Sequence, residues 1–456
     1  MSKLENNSIT PNIANQIIDD LPHDLFIDPS KKFCYASIVD DYIISKIYDR
    51  LYDGLKDVII DENERRHHIL DNMIYGISLS NAKTRLVKQC SMIKNIYTKN
   101  ILEDDLSDMP KFDFIIQNPP YNKSLHLDFF NKGLDLLSDT GKMVIIEPST
   151  WLIDLRQNIA EKKSSQMKKY IAIKERIIGH VSKVIIENFN KEFNVTNTVP
   201  FSITYIDNTK TFNKIEFINC GVKKYVNSLY DCNLIGNIEI IKSIFEKIKK
   251  YDVVNNHIIN KQLNDNKIHY ILYNGILRPL ASSYFIRENY FFGNTCYYKH
   301  YFGNYYMSFI SPTLNISRND ISNKIHKAAA RGGSVKGKIK LTDNDASCIY
   351  GTKQELENYK YFISNNSIPL FINICLTIDQ NNNSLPYVPW LVDKQYTDEE
   401  IYDMFGFTED EIKLIEITIK KYERYSAWFK RYMCGPSSVS DEEVQKFINE
   451  LENEKN

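Results

Sequence analysis

Phe112-Asp113-Phe114-Ile115-Ile116-Gln117-Asn118-Pro119-Pro120-Tyr121 reads as a buried strand running straight into a stiff loop. The apolar run 112–116 has the length of a strand covered on both faces. Two consecutive prolines cannot donate to a sheet ladder, so the strand ends at Asn118 and the loop is rigid. Such a loop holds one amide and one aromatic ring at a strand's carboxyl end. The Asn118 side-chain oxygen and the Pro119 carbonyl can each accept a hydrogen bond from an exocyclic amine, and Tyr121 can stack on a flat ring. As a bare string the quartet is also ordinary turn chemistry, which favours Asn and Pro. Its setting decides between the two.

That setting is an alternation of short apolar runs and helical patterns over residues 1 to about 220, the pattern of an α/β parallel sheet. Strands are expected at 25–27, 73–77, 112–116, 143–146 and 201–206, with amphipathic helices at 38–55 and 126–137. Residues 153–184 are lysine-rich with helical spacing. A second region opens with a helix over 234–248 and continues into a segment dense in aromatic residues, 284–309. Packing is the default role for those rings, with stacking on bases the alternative. Thr397 with Glu400, and Thr408 with Glu411, have capping-box spacing, and Gly406 is placed to end the first of these two helices.

Composition narrows the class. Hydrophobic residues at 43% and charged residues at 25% support a sizeable core and argue against bulk disorder. No apolar run approaches the ~18 residues of a membrane span, and the polar start resembles no signal peptide. The eight cysteines form no Cys-x-x-Cys pair, which argues for reduced thiols in a cytoplasmic setting and against a structural zinc site. Net charge is −1, yet residues 251–340 hold 12 Lys/Arg against 4 Asp/Glu. Within that stretch Arg331, beside Gly332 and Gly333, and then Lys336, Lys338 and Lys340 make a loop able to follow a phosphate backbone. A solvated basic face without a partner has the same composition.

The quartet and its strand resemble motif IV of the DNA amino-methyltransferases, which methylate N6 of adenine or N4 of cytosine. The Asn-first form Asn118-Pro119-Pro120-Tyr121 is similar to that of the adenine-N6 members. Other segments follow in the order of the gamma arrangement. Thr10-Pro11 with Ile13-Ala14 looks like the motif that packs over the methionine part of the cofactor. Phe26-Ile27-Asp28-Pro29 looks like the start of motif I, Tyr75-Gly76-Ile77 like motif II, and Asn100 falls where motif III meets the adenine. The stretch from Tyr387 to Ile415 looks like the end of single-chain restriction–modification proteins that carry a recognition domain after the methylase.

The resemblance implies a Rossmann-like methyltransferase sheet with helices on both faces, residues 1–222, followed by a mixed α+β target-recognition domain, residues 223–456. It implies S-adenosyl-L-methionine as cofactor, held by Thr10, Asp28, Pro29, Ser78 and Asn100, and double-stranded DNA as substrate, held through Arg331, Lys336, Lys338 and Lys340. A flipped adenine would meet Asn118, Pro119, Pro120 and Tyr121 as the catalytic group. No nuclease segment precedes Thr10, so any cognate endonuclease is expected on a separate chain. Two departures stand out. No glycine follows Asp28-Pro29, where the family has a Gly-rich turn, and Ser78 occupies the usual acidic position of motif II. They raise an alternative function, a methyltransferase-like DNA-binding protein without catalysis. The quartet also occurs in enzymes that act on RNA or protein.

Overall fold

The computed structural model describes residues 10–36, 42–121, 125–187, 200–219, 221–233, 235–253, 258–259, 269–273, 276–279, 295–298, 348–376 and 387–424. The run 112–116 is indeed a strand: β4, Phe112–Gln117, lies in the middle of a nine-stranded sheet. With β1 (Phe33–Ala36), β2 (Ile74–Ser78), β3 (Asn95–Thr98), β5 (Leu137–Pro148), β6 (Val181–Glu187), β7 (Phe201–Asp207), β8 (Ile215–Asn219) and β9 (Val222–Val226), the order is β3-β2-β1-β4-β5-β7-β6-β8-β9. Strands β1 to β5 run parallel, and β7 is antiparallel to both β5 and β6. This is the expected Rossmann-like sheet, with its order reversing between β1 and β4.

Both faces of the sheet are covered, which is why its strands read as nearly continuous apolar runs. Along β4, Ile115 enters one core and its neighbours Phe114 and Ile116 the other, while Phe112, ahead of a register shift at 112–114, enters the first. The second core is roofed by α1 (Pro11–Asp19) and α2 (Tyr42–Gly54), which contribute Ile13, Ile17, Ile43, Ile47 and Leu51. The first is roofed by α5 (Leu125–Leu136), the short turns α6 (Thr150–Ile153) and α7 (Arg156–Ile159), and α8 (Ser165–Arg176). Two further helices complete the crossovers on either side of β2: α3, Glu62–His68, capped by Asp61, and α4, Asn81–Ser91. At Gly54 the roof is so close that a Cβ would stand 2.4 Å from the Phe26 carbonyl oxygen, so only glycine fits without moving backbone.

Three expectations change. Residues 25–27 are not a strand: Leu25 and Phe26 sit in a 3-10 turn, His23–Phe26, and the true first strand is β1. Phe26 tucks into the core under Arg50 and against Phe33 instead of pairing in the sheet. The helical reading of 153–184 holds for α7 and α8 but fails at its end, because Val181 onward pairs with β7 as β6. The helix expected over 38–55 is observed from Tyr42, with 37–41 outside the described residues.

The C-terminal segment packs on the first core. Helix Ile238–Ile248 starts at Asn237, whose side chain accepts from the backbone of Glu239 and Ile240. It buries Ile241, Ile244 and Phe245 with Phe371, Val388, Ile401 and Ile415, in one cluster with Phe112 and Trp151. Residues 222 and 223 both lie in β9, the last strand of the large sheet. A small second sheet has the order β10-β14-β13-β11-β12, from Ile258–Ile259, His269–Tyr273, Ile276–Pro279, Thr295–Tyr298 and Cys348–Thr352. Helices Lys353–Asn365 and Ser367–Leu376 follow it. The capping box at Thr397 and Glu400 forms, and Gly406 ends that helix with φ 63°, a left-handed conformation suited to glycine. Thr408 and Glu411 exchange the same reciprocal pair of bonds, and Glu411 also takes Lys247 at 2.6 Å. No helix among the described residues is long and apolar enough to cross a membrane.

One buried charge makes a stability prediction. Lys174 is 1% exposed, donates to the Leu152 carbonyl at 3.2 Å and sits over the Tyr230 ring. Burial pulls its amine down to about 7. A base whose folded pKa is lowered contributes stability above its unfolded pKa of ~10.4, and that stability is lost as pH falls toward the folded value. Lys174→Met should therefore be more stable than the wild type by ~1–4 kcal/mol near pH 7, with the gap closing toward pH ~10. Urea unfolding at both pH values measures it; a gap that does not depend on pH would contradict the buried-charge account.

Candidate active site

In an open α/β sheet the carboxyl ends of the parallel strands at the order reversal form the binding crevice. Here the strands that end together are β1 at Ala36, β2 at Ser78, β3 at Thr98 and β4 at Gln117. Register fixes their alignment: Ala36 pairs with both Ile77 and Gln117, and Ser78 with Thr98. The Asn118 loop therefore opens at the switch point, beside the end of β1.

Asn118 is 2% exposed, and its side-chain oxygen accepts a hydrogen bond from the Tyr121 hydroxyl. That donor orients the amide, with the oxygen as acceptor. An amide oxygen has two lone pairs, so the same atom can take a second donor, such as an amine. The Tyr121 ring packs 5.2 Å from Phe201 and edge-on to His126 at 6.5 Å. Burial, with the Glu147 carboxyl nearby, pushes the Tyr121 hydroxyl well above its ordinary range, so it stays a donor.

Three predicted cofactor residues gather at this edge. Ser78 is buried, and its hydroxyl accepts from the Ser80 backbone at 3.2 Å. Asn100 lies in the turn just after β3. Its side-chain oxygen accepts from Leu102 N at 3.1 Å, and its own N–H donates to Asp104 at 2.7 Å. Thr10 precedes α1. Residues 18 and 19 at the far end of α1 bond Arg50 near the end of α2. Because α2 follows β1, its end lies at the strands' amino edge, and α1 packed along it carries Thr10 back toward the carboxyl edge. The Thr10 hydroxyl oxygen is buried without a hydrogen-bond partner among the described residues.

Asp28 and Pro29 do not join them. They precede β1, so they lie at the opposite edge of the sheet. Asp28 closes a local turn, accepting from Ser30 N at 2.9 Å and Ser30 Oγ at 2.7 Å, bonds that hold its carboxyl below the ordinary range. The Pro29 carbonyl contacts the His68 ring at 2.8 Å, and Lys31 pairs with Asp113 at the entrance of β4 at 3.0 Å. The segment that follows β1 in sequence is Ser37-Ile38-Val39-Asp40-Asp41, also without glycine and outside the described residues. The missed signal was the run Phe33-Cys34-Tyr35-Ala36, short and β-prone enough to be a strand in its own right. Arg331, Lys336, Lys338 and Lys340 lie outside the described residues, as do 284–294 and 299–309 of the aromatic segment.

The apolar pattern ends the strand at Ile146 and leaves the next residue without a role. Glu147 is in β5, fully buried, opposite Ser202 on β7. Its carboxyl lies 3.9 Å from His126 Nε2 on α5, itself 3% exposed. Neither carboxyl oxygen and neither ring nitrogen has a hydrogen-bond partner among the described residues. Burial raises the Glu147 carboxyl well above its usual range and lowers the His126 imidazole to about 4. Each such orphaned group costs ~1–3 kcal/mol, a burden that native folds carry mainly at functional sites. An ionisable residue closing an otherwise apolar strand was the available signal.

No protein-family model matches the chain, and no curated protein matches it. Among solved structures, the chain is similar to a modification subunit of a putative type I restriction enzyme from Vibrio vulnificus, at 12% identity over 50% of this chain and 49% of that one, TM-score 0.36. It is similar to the M protein of the type I restriction enzyme EcoKI at 13% identity, over 48% and 50% of the two chains, TM-score 0.37. A putative class I S-adenosylmethionine-dependent methyltransferase from Listeria monocytogenes is 13% identical over 50% of this chain and 68% of its own, TM-score 0.33. The match spans about half the length of the first two of these solved chains.

Proposed function

We propose that this chain is a site-specific DNA methyltransferase that transfers a methyl group from S-adenosyl-L-methionine to N6 of a flipped adenine. The observation that carries the reading is the Asn118 loop at the carboxyl end of β4, at the switch point, with its amide oxygen oriented as an acceptor by Tyr121.

The groups at that edge suit a nucleoside cofactor. The Thr10 hydroxyl, without a partner among the described residues, the Ser78 hydroxyl at the end of β2 and the Asn100 turn after β3 are the groups that would hold it. When bound, the cofactor supplies an electrophilic methyl group on sulfonium sulfur. The protein's part is to position the amine. Asn118 Oδ1 and the Pro119 carbonyl accept its two hydrogens and aim its lone pair, and the Tyr121 ring bounds the flipped base. Ser78 offers one hydroxyl where a carboxylate would offer two acceptors, so cofactor affinity should be modest.

Incubating the protein with mixed-sequence DNA and labelled cofactor, then mapping the modified base, tests the reading. Label on adenine N6 within a defined sequence supports it, and label on cytosine alone, or on RNA and not DNA, replaces it. The same proposal assigns Arg331, Lys336, Lys338 and Lys340 to DNA phosphates. Neutralising the three lysines together should flatten the plot of log affinity against log salt by about 0.9 for each phosphate no longer neutralised. An unchanged slope would return that stretch to a solvated face.

A second reading, a DNA-binding protein without catalysis, is favoured by the absence of glycine from the segment after β1 together with Ser78. Failure to bind millimolar cofactor while still binding DNA would establish it.

A further inference from the structure

We propose that Glu147 and His126 are the proton-accepting pair of this site, taking the proton that the exocyclic amine loses once it is methylated. The inference rests on the methyl-transfer reading above and adds residues that no family motif in the sequence singled out.

Placement comes from strand register. Gln117 of β4 pairs with Ile145 of β5, so Glu147 stands two residues beyond that pair, as Pro119 does on the neighbouring strand. The carboxyl thus flanks the loop that grips the amine, close enough for its charge to bear on the Tyr121 hydroxyl. From the other side α5 brings His126 to 3.9 Å, a contact and not a hydrogen bond. Four polar atoms are buried together without partners among the described residues: both Glu147 oxygens and both His126 nitrogens. Other groups around the pair among the described residues are engaged as follows. Tyr121 faces it from the loop. On α5, Asp128 lies farther out and is engaged by Lys169 of α8 at 2.7 Å. On β7, Ser202 stands opposite, its hydroxyl donating to the Glu147 backbone oxygen at 3.3 Å.

The chemistry calls for an acceptor. As the amine attacks, a carbon–nitrogen bond forms and the carbon–sulfur bond breaks with its electron pair staying on sulfur. The nitrogen is left positively charged and must shed a proton. Asn118 and Pro119 are hydrogen-bond acceptors without useful basicity. The pair enters as carboxylate and neutral imidazole and leaves with one added proton and no net charge, which suits a water-poor pocket better than the reverse. Because burial favours the neutral carboxyl in the free protein, the active form grows as pH rises, and a cationic sulfonium nearby would favour it further.

Glu147→Gln keeps the size and hydrogen-bonding shape and cannot ionise. In single-turnover methyl transfer at pH 8 it should lose at least ~10-fold in rate, together with the rising limb of the pH–rate profile, while cofactor and DNA binding isotherms stay as in the wild type. A second readout needs no activity. The His126 ring resonance, assigned by its loss in His126→Gln, should titrate in two steps in wild type, near 4 and again where the carboxyl ionises; Glu147→Gln should abolish only the upper step. A Glu147→Gln enzyme with wild-type rate and pH profile overturns the pair and leaves the methyltransferase reading standing. A single His126 step in wild type also overturns the pair. A wild type that shows both steps yet methylates no DNA overturns the reaction reading, and the assigned proton transfer with it.

Discussion

Replacing Asn118 with Ala should reduce methyl transfer by ~10²-fold or more while fold and duplex affinity stay near wild type. The side chain is buried, its amide oxygen accepts from the loop's own Tyr121, and its backbone follows Gln117, the last residue of β4 in the ladder. Its loss therefore removes an acceptor aimed at the amine and leaves the ladder between β4 and its neighbours intact. Tyr121 loses its acceptor as well, so the ring's orientation loosens and the effect goes beyond one hydrogen bond. Single-turnover rates with saturating DNA and cofactor give the value, and circular dichroism checks the fold. An Asn118→Ala enzyme as fast as wild type would mean that the loop is only a proline-rich turn.

The second large effect is on stability. Phe114→Ala should cost ~3–5 kcal/mol, a substantial share of the ~5–15 kcal/mol typical of a folded domain. Phe114 has no exposed surface and lies in the core beneath α1 and α2, its ring 5.9 Å from Phe33, which in turn stacks on Phe26 at 5.4 Å. Removing it leaves a void under the central strand three residues before Gln117, so the loop should lose position as the fold loosens. Urea unfolding measures the first consequence and single-turnover rate the second. A loss below ~1 kcal/mol would show that the aromatic stack collapses to fill the gap.

The two substitutions separate what was readable in advance from what was not. Local patterns were legible wherever short-range physics sets them. The strand before two prolines, the reciprocal capping at Thr397 and Glu400, and the glycine stop at Gly406 all form as their residues dictate. The α/β class followed from alternating strands and helices. Errors fell where a short apolar run could be turn or strand. Residues 25–27 and Phe33-Cys34-Tyr35-Ala36 are both candidates by composition; only pairing with β2 and β4 selects the second. Moving the first strand forward also moved Asp28 and Pro29 from one edge of the sheet to the other.

Sequence by itself determined where β4 stops and the Asn118 loop begins, because two prolines cannot donate to a sheet ladder. Tertiary structure alone decided which residues share its edge. It excluded Asp28 and Pro29 and brought Ser78, Asn100 and Thr10 to the carboxyl side. It also buried Glu147 against His126, residues 21 positions apart in the chain. Register and crossover set those meetings, through pairings between strands distant in sequence, and no local pattern encodes them.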